Sequence, residues 1–182
     1  MQTKSTKSLY WGVIRLLENN FLIASTDKGL CYLQFHEGNP ACGVDEGAWS
    51  ELTKWARTQF PGHNWVEDAE TLQPYILQIE EYLKGLRTTF TLPLDLRGTA
   101  FQQAVWRVLN EIPHGETFSY SQVAQELDKL SAVRAVGTAI GANPVLIVVP
   151  CHRVVGKDGS LTGYRGGIRN KERLLVLERV GL

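Results

Sequence analysis

The chain has 182 residues, 43% of them apolar and 21% charged, with nineteen Lys/Arg against nineteen Asp/Glu. These proportions belong to a soluble globular protein, long enough for one ordinary domain or two small ones. No apolar run approaches the ~20 residues of a membrane span, and residues 1–8 are polar and lack the apolar stretch of a signal peptide, so a cytoplasmic protein with no membrane partner is expected.

Residues 10–16, 21–25 and 30–35 have the composition of strands. Glu18-Asn19-Asn20 and Thr26-Asp27-Lys28-Gly29 separate them and read as turns. A small antiparallel meander follows. In residues 47–60, Trp49, Leu52, Trp55, Ala56 and Phe60 recur close to helical periodicity, and over 74–86 so do Ile76, Ile79, Leu83 and Leu86. Residues 88–96 read as extended and end at Arg97-Gly98. The domain boundary is placed there, with 1–97 as a small α+β domain of antiparallel sheet and helix, and 98–182 as a mostly helical one.

Thr99 followed by Gln102 forms a capping box. It opens a helix with Phe101, Val105, Trp106, Val108 and Leu109 on its apolar side, ended by Pro113-His114-Gly115. Ser119 followed by Gln122 is a second box, opening a helix over 120–127, and Ser131 is read as the cap of a third over 132–142. The two short helices, joined by 128–131, outline a helix-turn-helix of winged-helix-like character. The third helix holds Ala132, Ala135, Gly137, Thr138, Ala139, Gly141 and Ala142. A glycine in a helix interior costs about 1 kcal/mol relative to alanine. Two of them imply close approach to the backbone, either by another helix or by a nucleic-acid groove. Arg134, near its start, would then point at a duplex.

Asn143-Pro144 stops this helix. The apolar run 145–149 reads as a buried strand leading into Pro150-Cys151-His152-Arg153-Val154-Val155. A glycine-rich loop with Tyr164 follows over 156–167. The last helix, about 170–180, turns Leu174, Leu175 and Leu177 inward with Glu178 on or near that side. Charge divides unevenly: residues 1–97 hold nine Lys/Arg against twelve Asp/Glu, and 98–182 hold ten against seven. A modest basic bias on one half suits a polyanion partner.

Three cysteines, none in a C-x-x-C pair, argue against a disulfide framework, and the four histidines are scattered. No metal site and no cofactor are expected, and Cys31 and Cys42 are read as structural. Cys151 differs. At the end of a buried segment beside a histidine, a partly exposed thiol has the surroundings of a nucleophile. His152 is the nearest base, but neighbours on an extended chain face opposite ways, so a turn after Pro150 or a bridging water is required. A carboxylate is wanted behind the histidine to orient it. Composition does not say which.

The run 143–155 resembles the active-site signature of the O6-alkylguanine-DNA alkyltransferases. So do Ser119-Tyr120, Arg134-Ala135-Val136-Gly137, Gly163-Tyr164-Arg165-Gly166-Gly167 and Lys171-Glu172. The resemblance covers essentially all of 99–182, and the first half matches as an N-terminal domain of similar size. It implies direct reversal of damage in double-stranded DNA, bound through the minor groove. Cys151 would take the alkyl group irreversibly, one turnover per molecule, after the base is flipped out. O4-alkylthymine stays open as a second substrate. His152 would deprotonate Cys151 through a water, Glu178 would hold His152, and Asn143 would brace the turn. Tyr120 would crowd the phosphate and protonate guanine N3. Arg134 would fill the vacated stack, with Ala135 and Gly137 on the helix against DNA. Tyr164, Val154 and Ile140 would line the alkyl pocket, the backbone of Cys151, Val154 and Arg165 would read the base, and Lys171 belongs to the same pocket region. A monomer is implied, with room for cooperative assembly on DNA.

Some family members carry zinc in the first domain, but no convincing ligand set exists here. Others carry an added domain with clustered cysteines, which is also lacking. Leu146 stands where other members have proline. A lesion-flagging relative of this family would lack the cysteine. A cysteine hydrolase would not need a glycine-rich helix with Arg134. A regulatory helix-turn-helix protein would need polar side chains for base readout in the major groove, and the third helix offers few.

Overall fold

In the computed structural model, which describes residues 7–37 and 43–180, the chain divides into two units. One comprises Met1–Glu80 with Thr91–Arg97, the other Glu81–Phe90 with Gly98–Leu182. Residues 81–90, read from sequence with the first half, thus cluster with the second unit. No helix among the described residues is long and apolar enough to cross a membrane.

The first unit is built on a four-stranded sheet in the order β3-β2-β1-β4. β1 (Ser8–Leu16), β2 (Asn19–Thr26) and β3 (Gly29–His36) form the antiparallel meander. β4 (Asn64–Glu67) pairs parallel to β1, so the sheet is mixed rather than wholly antiparallel. Asp45 caps α1 (Glu46–Gln59), its side chain accepting the Ala48 N–H at 2.9 Å. The helix lays Leu52 and Ala56 over Leu9, Leu22, Ala24, Cys31 and Tyr32. Cys31 is buried, and its Sγ donates to Ala24 O at 3.4 Å. Cys42 lies outside the described residues.

α2 (Ala69–Leu83) begins five residues before Pro74, not at it. The Asp68 carboxylate accepts the Glu70 and Thr71 N–H groups, a stronger start than the proline. A Cβ added at Gly12 would lie 3.3 Å from Leu72 Cδ1, so α2 covers the sheet face opposite to that of Leu9 and Trp11. The helix stops at Leu83, short of Leu86. Gly85 adopts φ +72°, and the Leu86 N–H reaches back to Glu81 O at 2.8 Å. The extended segment before Arg97 meets the sheet at one parallel bridge, Leu30 with Leu94.

The second unit holds α3 (Ala100–Glu111), α4 (Tyr120–Glu126), α5 (Val133–Gly141) and α6 (Ile168–Val180). It also has a short parallel pair, β5 (Phe118–Ser119) with β6 (Val154–Val155). Both capping boxes form, Thr99 with Gln102 and Ser119 with Gln122. Ser131 does not cap α5: a 3₁₀ turn over Leu130–Ala132 leads into that helix, and Ala132 stands at its N-cap with no side-chain bond. α4 and α5 make the helix-turn-helix. α5 is tied to α3 through Trp106, whose buried Nε1–H donates to Ala139 O at 2.9 Å.

Gly29 makes a testable point of the bridge at Leu30. It has φ +152°, and a Cβ there would fall 2.4 Å from Pro93 O. Gly29→Ala is expected to destabilise the protein by about 2 kcal/mol or more, read as a lower urea midpoint with an unchanged slope.

Candidate active site

The run 145–149 is not a strand. Beyond one bridge position at Val145 it is a wound, buried turn, with Val148 N–H on Leu146 O at 2.8 Å and Val149 N–H on Val145 O at 3.1 Å. Asn143, fully buried, supplies what a neighbouring strand would have supplied. Its Oδ1 accepts Val145 N–H at 2.9 Å, and its Nδ2 donates to Val149 O at 2.9 Å and to Cys151 Sγ at 3.1 Å. Ile147 is forced to φ +70°, a left-handed conformation that a β-branched side chain rarely adopts. Backbone strain of this kind gathers at functional turns.

Cys151–Arg153 forms a 3₁₀ turn after Pro150. Successive side chains there diverge by about 120° rather than 180°, so Cys151 and His152 are not held on opposite faces. Cys151 is only 4% exposed, more enclosed than the sequence reading had it. Burial pushes its thiol up to about 11, against the hydrogen bond from Asn143 and the charges of Lys171 and Arg165. At pH 7 such a thiol standing alone would stay protonated. It needs a base.

His152 is fully buried. Its Nε2 lies 2.8 Å from Glu178 Oε1, so Nε2 carries the proton and Nδ1 keeps the lone pair. Nδ1 has no protein partner among the described residues. Burial lowers the imidazole's basicity, and Glu178 offsets this in part. Glu178 itself is fully buried, not a surface carboxylate of a charged helix. Burial alone would raise it. Hydrogen bonds from His152, Arg153 and Tyr82 prevail and hold it well below the usual carboxylate range. Arg153 donates to both of its oxygens at 2.9–3.0 Å, with Nη1 on Ile112 O at 2.6 Å. Gly115 N–H reaches Oε2 at 3.0 Å and Tyr82 Oη reaches Oε1 at 2.5 Å.

Sequence reasoning missed Tyr82 and Arg153. Both left signals. Tyr82 follows Ile79 by three on the apolar stripe of α2, and a buried tyrosine hydroxyl needs a partner. Arg153 stands between a buried histidine and Val154-Val155, where a charge persists only with a counter-ion.

Tyr120, Gly137, Ile140, Gly141, Cys151, Gly163, Tyr164 and Arg165 line a pocket of about 310 Å³. Val154 is not among them. It is fully buried, in register with Phe118, and its N–H is given to Cys151 O. Leu146 is likewise buried and does not line the pocket. Lys171 sits behind the wall, its Nζ donating to Thr162 O at 2.9 Å and Gly163 O at 3.3 Å. Tyr120 also gives its hydroxyl to Thr162 O, at 3.0 Å. Arg134 and Ala135 are exposed on α5. A Cβ at Gly141 would meet nothing within 4 Å, and one at Gly137 only the Tyr120 ring at 3.7 Å. Packing inside the protein therefore does not require either glycine.

Family models described as "6-O-methylguanine DNA methyltransferase, ribonuclease-like domain" and "6-O-methylguanine DNA methyltransferase, DNA binding domain" match residues 9–96 and 100–180. The inducible methylated-DNA--protein-cysteine methyltransferase of Bacillus subtilis (strain 168) is 52% identical over 172 residues, covering 94% of this chain and 91% of that protein. A methylated-DNA--protein-cysteine methyltransferase of Methanosarcina barkeri is 38% identical, with 96% and 99% covered. Among solved structures, Mycobacterium tuberculosis OGT in complex with DNA superposes with a TM-score of 0.76 at 36% identity, covering 94% of each chain.

The buried ions should dominate the pH dependence of stability. The carboxyl of Glu178 titrates lower in the folded protein, so its contribution is present above about pH 4.3 and is lost as pH falls below that. The lowered His152 acts in the same direction, and stability should begin to fall below about pH 6.5. Glu178→Gln, which leaves Arg153 without its counter-ion, is expected to cost about 3–5 kcal/mol at neutral pH and to flatten the acid limb. Urea midpoints from pH 3 to 8 measure both effects.

Proposed function

The chain belongs to the 6-O-methylguanine DNA methyltransferase family, and we propose that it reverses alkylation damage in DNA by moving the alkyl group from guanine O6 onto Cys151. The observation that carries this reading is a thiol at the wall of a pocket, backed by a base that a buried carboxylate holds in one tautomer. The S–C bond forms as the C–O6 bond breaks. The thiol proton passes through one water to His152 Nδ1, the ring nitrogen with no protein partner. Tyr120 gives a proton to guanine N3, so guanine leaves neutral and developing charge is met electrostatically. The proton on His152 returns through solvent to the Tyr120 phenolate. Sulfur is a soft nucleophile suited to alkyl carbon, and a thioether has no route back. Each molecule therefore acts once.

The same reading assigns the DNA contacts. The lesion must leave the stack, at a few kcal/mol, and Arg134 fills the gap. Gly137, with Ala135 beside it, lets α5 lie deep in the minor groove. For Tyr120 to reach the base, its hydroxyl must leave Thr162 O. Ile140 on α5 and Tyr164 and Arg165 on the glycine-rich loop contact the flipped base and its alkyl group, Lys171 secures that loop, and Val154 acts from behind through its backbone. The protein works in the cytoplasm as a monomer on double-stranded DNA, with affinity that falls as salt rises.

Incubation with an oligonucleotide holding O6-methylguanine, followed by intact mass and peptide mapping, tests this directly. One methyl on Cys151, saturating at one per molecule, is the expected result. Lesion binding without added mass would mean a recognition protein instead. Cys151→Ala should abolish transfer and retain binding. Tyr120→Ala or Arg134→Ala should slow single-turnover transfer by 10-fold or more, on the order of 1.4 kcal/mol, and unchanged rates in both would remove the flipping roles.

A further inference from the structure

We propose that Tyr82 is a positioning residue that sets the basicity of His152 by sharing Glu178 with it. The inference deepens the reading above, in which His152 is the base.

Tyr82 Oη lies 2.5 Å from Glu178 Oε1 and 3.3 Å from His152 Nε2, and all three residues are buried. Its proton goes to the carboxylate, the shorter contact and the charged acceptor. Glu178 Oε1 then accepts from Tyr82, His152 and Arg153 together. One carboxylate oxygen offers about two lone-pair sites, so the three donors compete. Every share taken by Tyr82 is taken from the Nε2–H bond to Glu178, the bond that strengthens when Nδ1 takes a second proton.

The groups facing His152 can be named. Its own turn contributes Cys151 and Arg153, and α6 contributes Glu178 and Lys171. α3 packs against the turn and buries Val105, Trp106, Val108 and Leu109, none of them ionisable. The last turn of α2 contributes Tyr82. Arg153 neutralises most of the charge on Glu178. Among these groups Tyr82 alone can lose its bond to Glu178 without a change of formal charge. Its hydroxyl is held firmly protonated, by burial and by the adjacent carboxylate. It therefore acts as a fixed donor. The arrangement keeps the resting pair as thiol and neutral imidazole.

The test is the titration of the His152 ring followed by NMR in the full chain, beside the pH profile of single-turnover methyl transfer. Tyr82→Phe frees Glu178 to hold His152 more strongly, and the imidazole midpoint should rise by about half a unit. Reaction of Cys151 with iodoacetamide, mapped by peptide, should quicken about 3-fold below neutrality. A 3,5-difluorotyrosine placed at position 82 keeps the ring and donates more strongly, so it should move the midpoint down. This second variant also covers the case in which Tyr82→Phe does not fold. A midpoint unmoved by either change, or moved the same way by both, overturns the proposal. If the midpoints move as stated while the acid limb of methyl transfer stays in place, the control by Tyr82 stands and the assignment of His152 as base is lost.

Discussion

The carboxylate of Glu178 is the point on which the second unit closes. A bare carboxylate in a dry interior is far too costly to persist. Here it is met by the full charge of Arg153, the Gly115 N–H, His152 and Tyr82. These donors come from three separate parts of the chain, the end of α2, the turn after α3 and the reactive turn, and meet the carboxylate that α6 carries. Each must be brought to one place to satisfy one ion. The same requirement fixes the His152 tautomer and, through Arg153 on Ile112 O, the end of α3. Satisfying the ion thus makes geometry for chemistry and geometry for folding one constraint.

That constraint shapes what kind of nucleophile Cys151 would be under the proposed function. A hydrolase that turns over gains from a base poised to ionise its thiol. Here burial disfavours both the thiolate and the imidazolium, and the charge on Glu178 is largely answered by Arg153. The resting site is therefore neutral. A thiol that can react only once benefits from being inert until its substrate is in the pocket. The hydrogen bond from Asn143 Nδ2 to the sulfur meets a thiolate as it forms, while also fixing the turn.

What the sequence reveals here is what acts over a few residues. Thr99 with Gln102 and Ser119 with Gln122 announce their helices because a capping box is completed within four residues. The meander and the Cys-His pair are visible for the same reason. The failures share a cause. Residues 145–149 read as a strand because five apolar residues bounded by proline have no periodicity to distinguish strand from buried turn. The side chain of Asn143 decides, and nothing in the run itself announces it. Pro74 drew the start of α2 away from Asp68, which caps it. Asn64-Trp65-Val66-Glu67 has too little apolar pattern to declare a strand and is ordered by pairing with β1. Tyr82 is 96 positions from Glu178, so its role exists only in the folded chain.

α5 shows how composition and structure together narrow a reading that composition leaves open. Glycines at 137 and 141 weaken the helix by about 1 kcal/mol each relative to alanine. Close packing against another helix would explain them, but among the described residues a Cβ at Gly141 would meet nothing within 4 Å, and one at Gly137 only the Tyr120 ring at an ordinary contact distance. The helix is held elsewhere, by buried Val136, Ala139 and Ile140 and by the bond from Trp106. Both glycines instead open onto the pocket that holds Cys151. A local rule broken without internal compensation marks a surface shaped for something outside the chain, and here that surface borders the one thiol on the pocket wall.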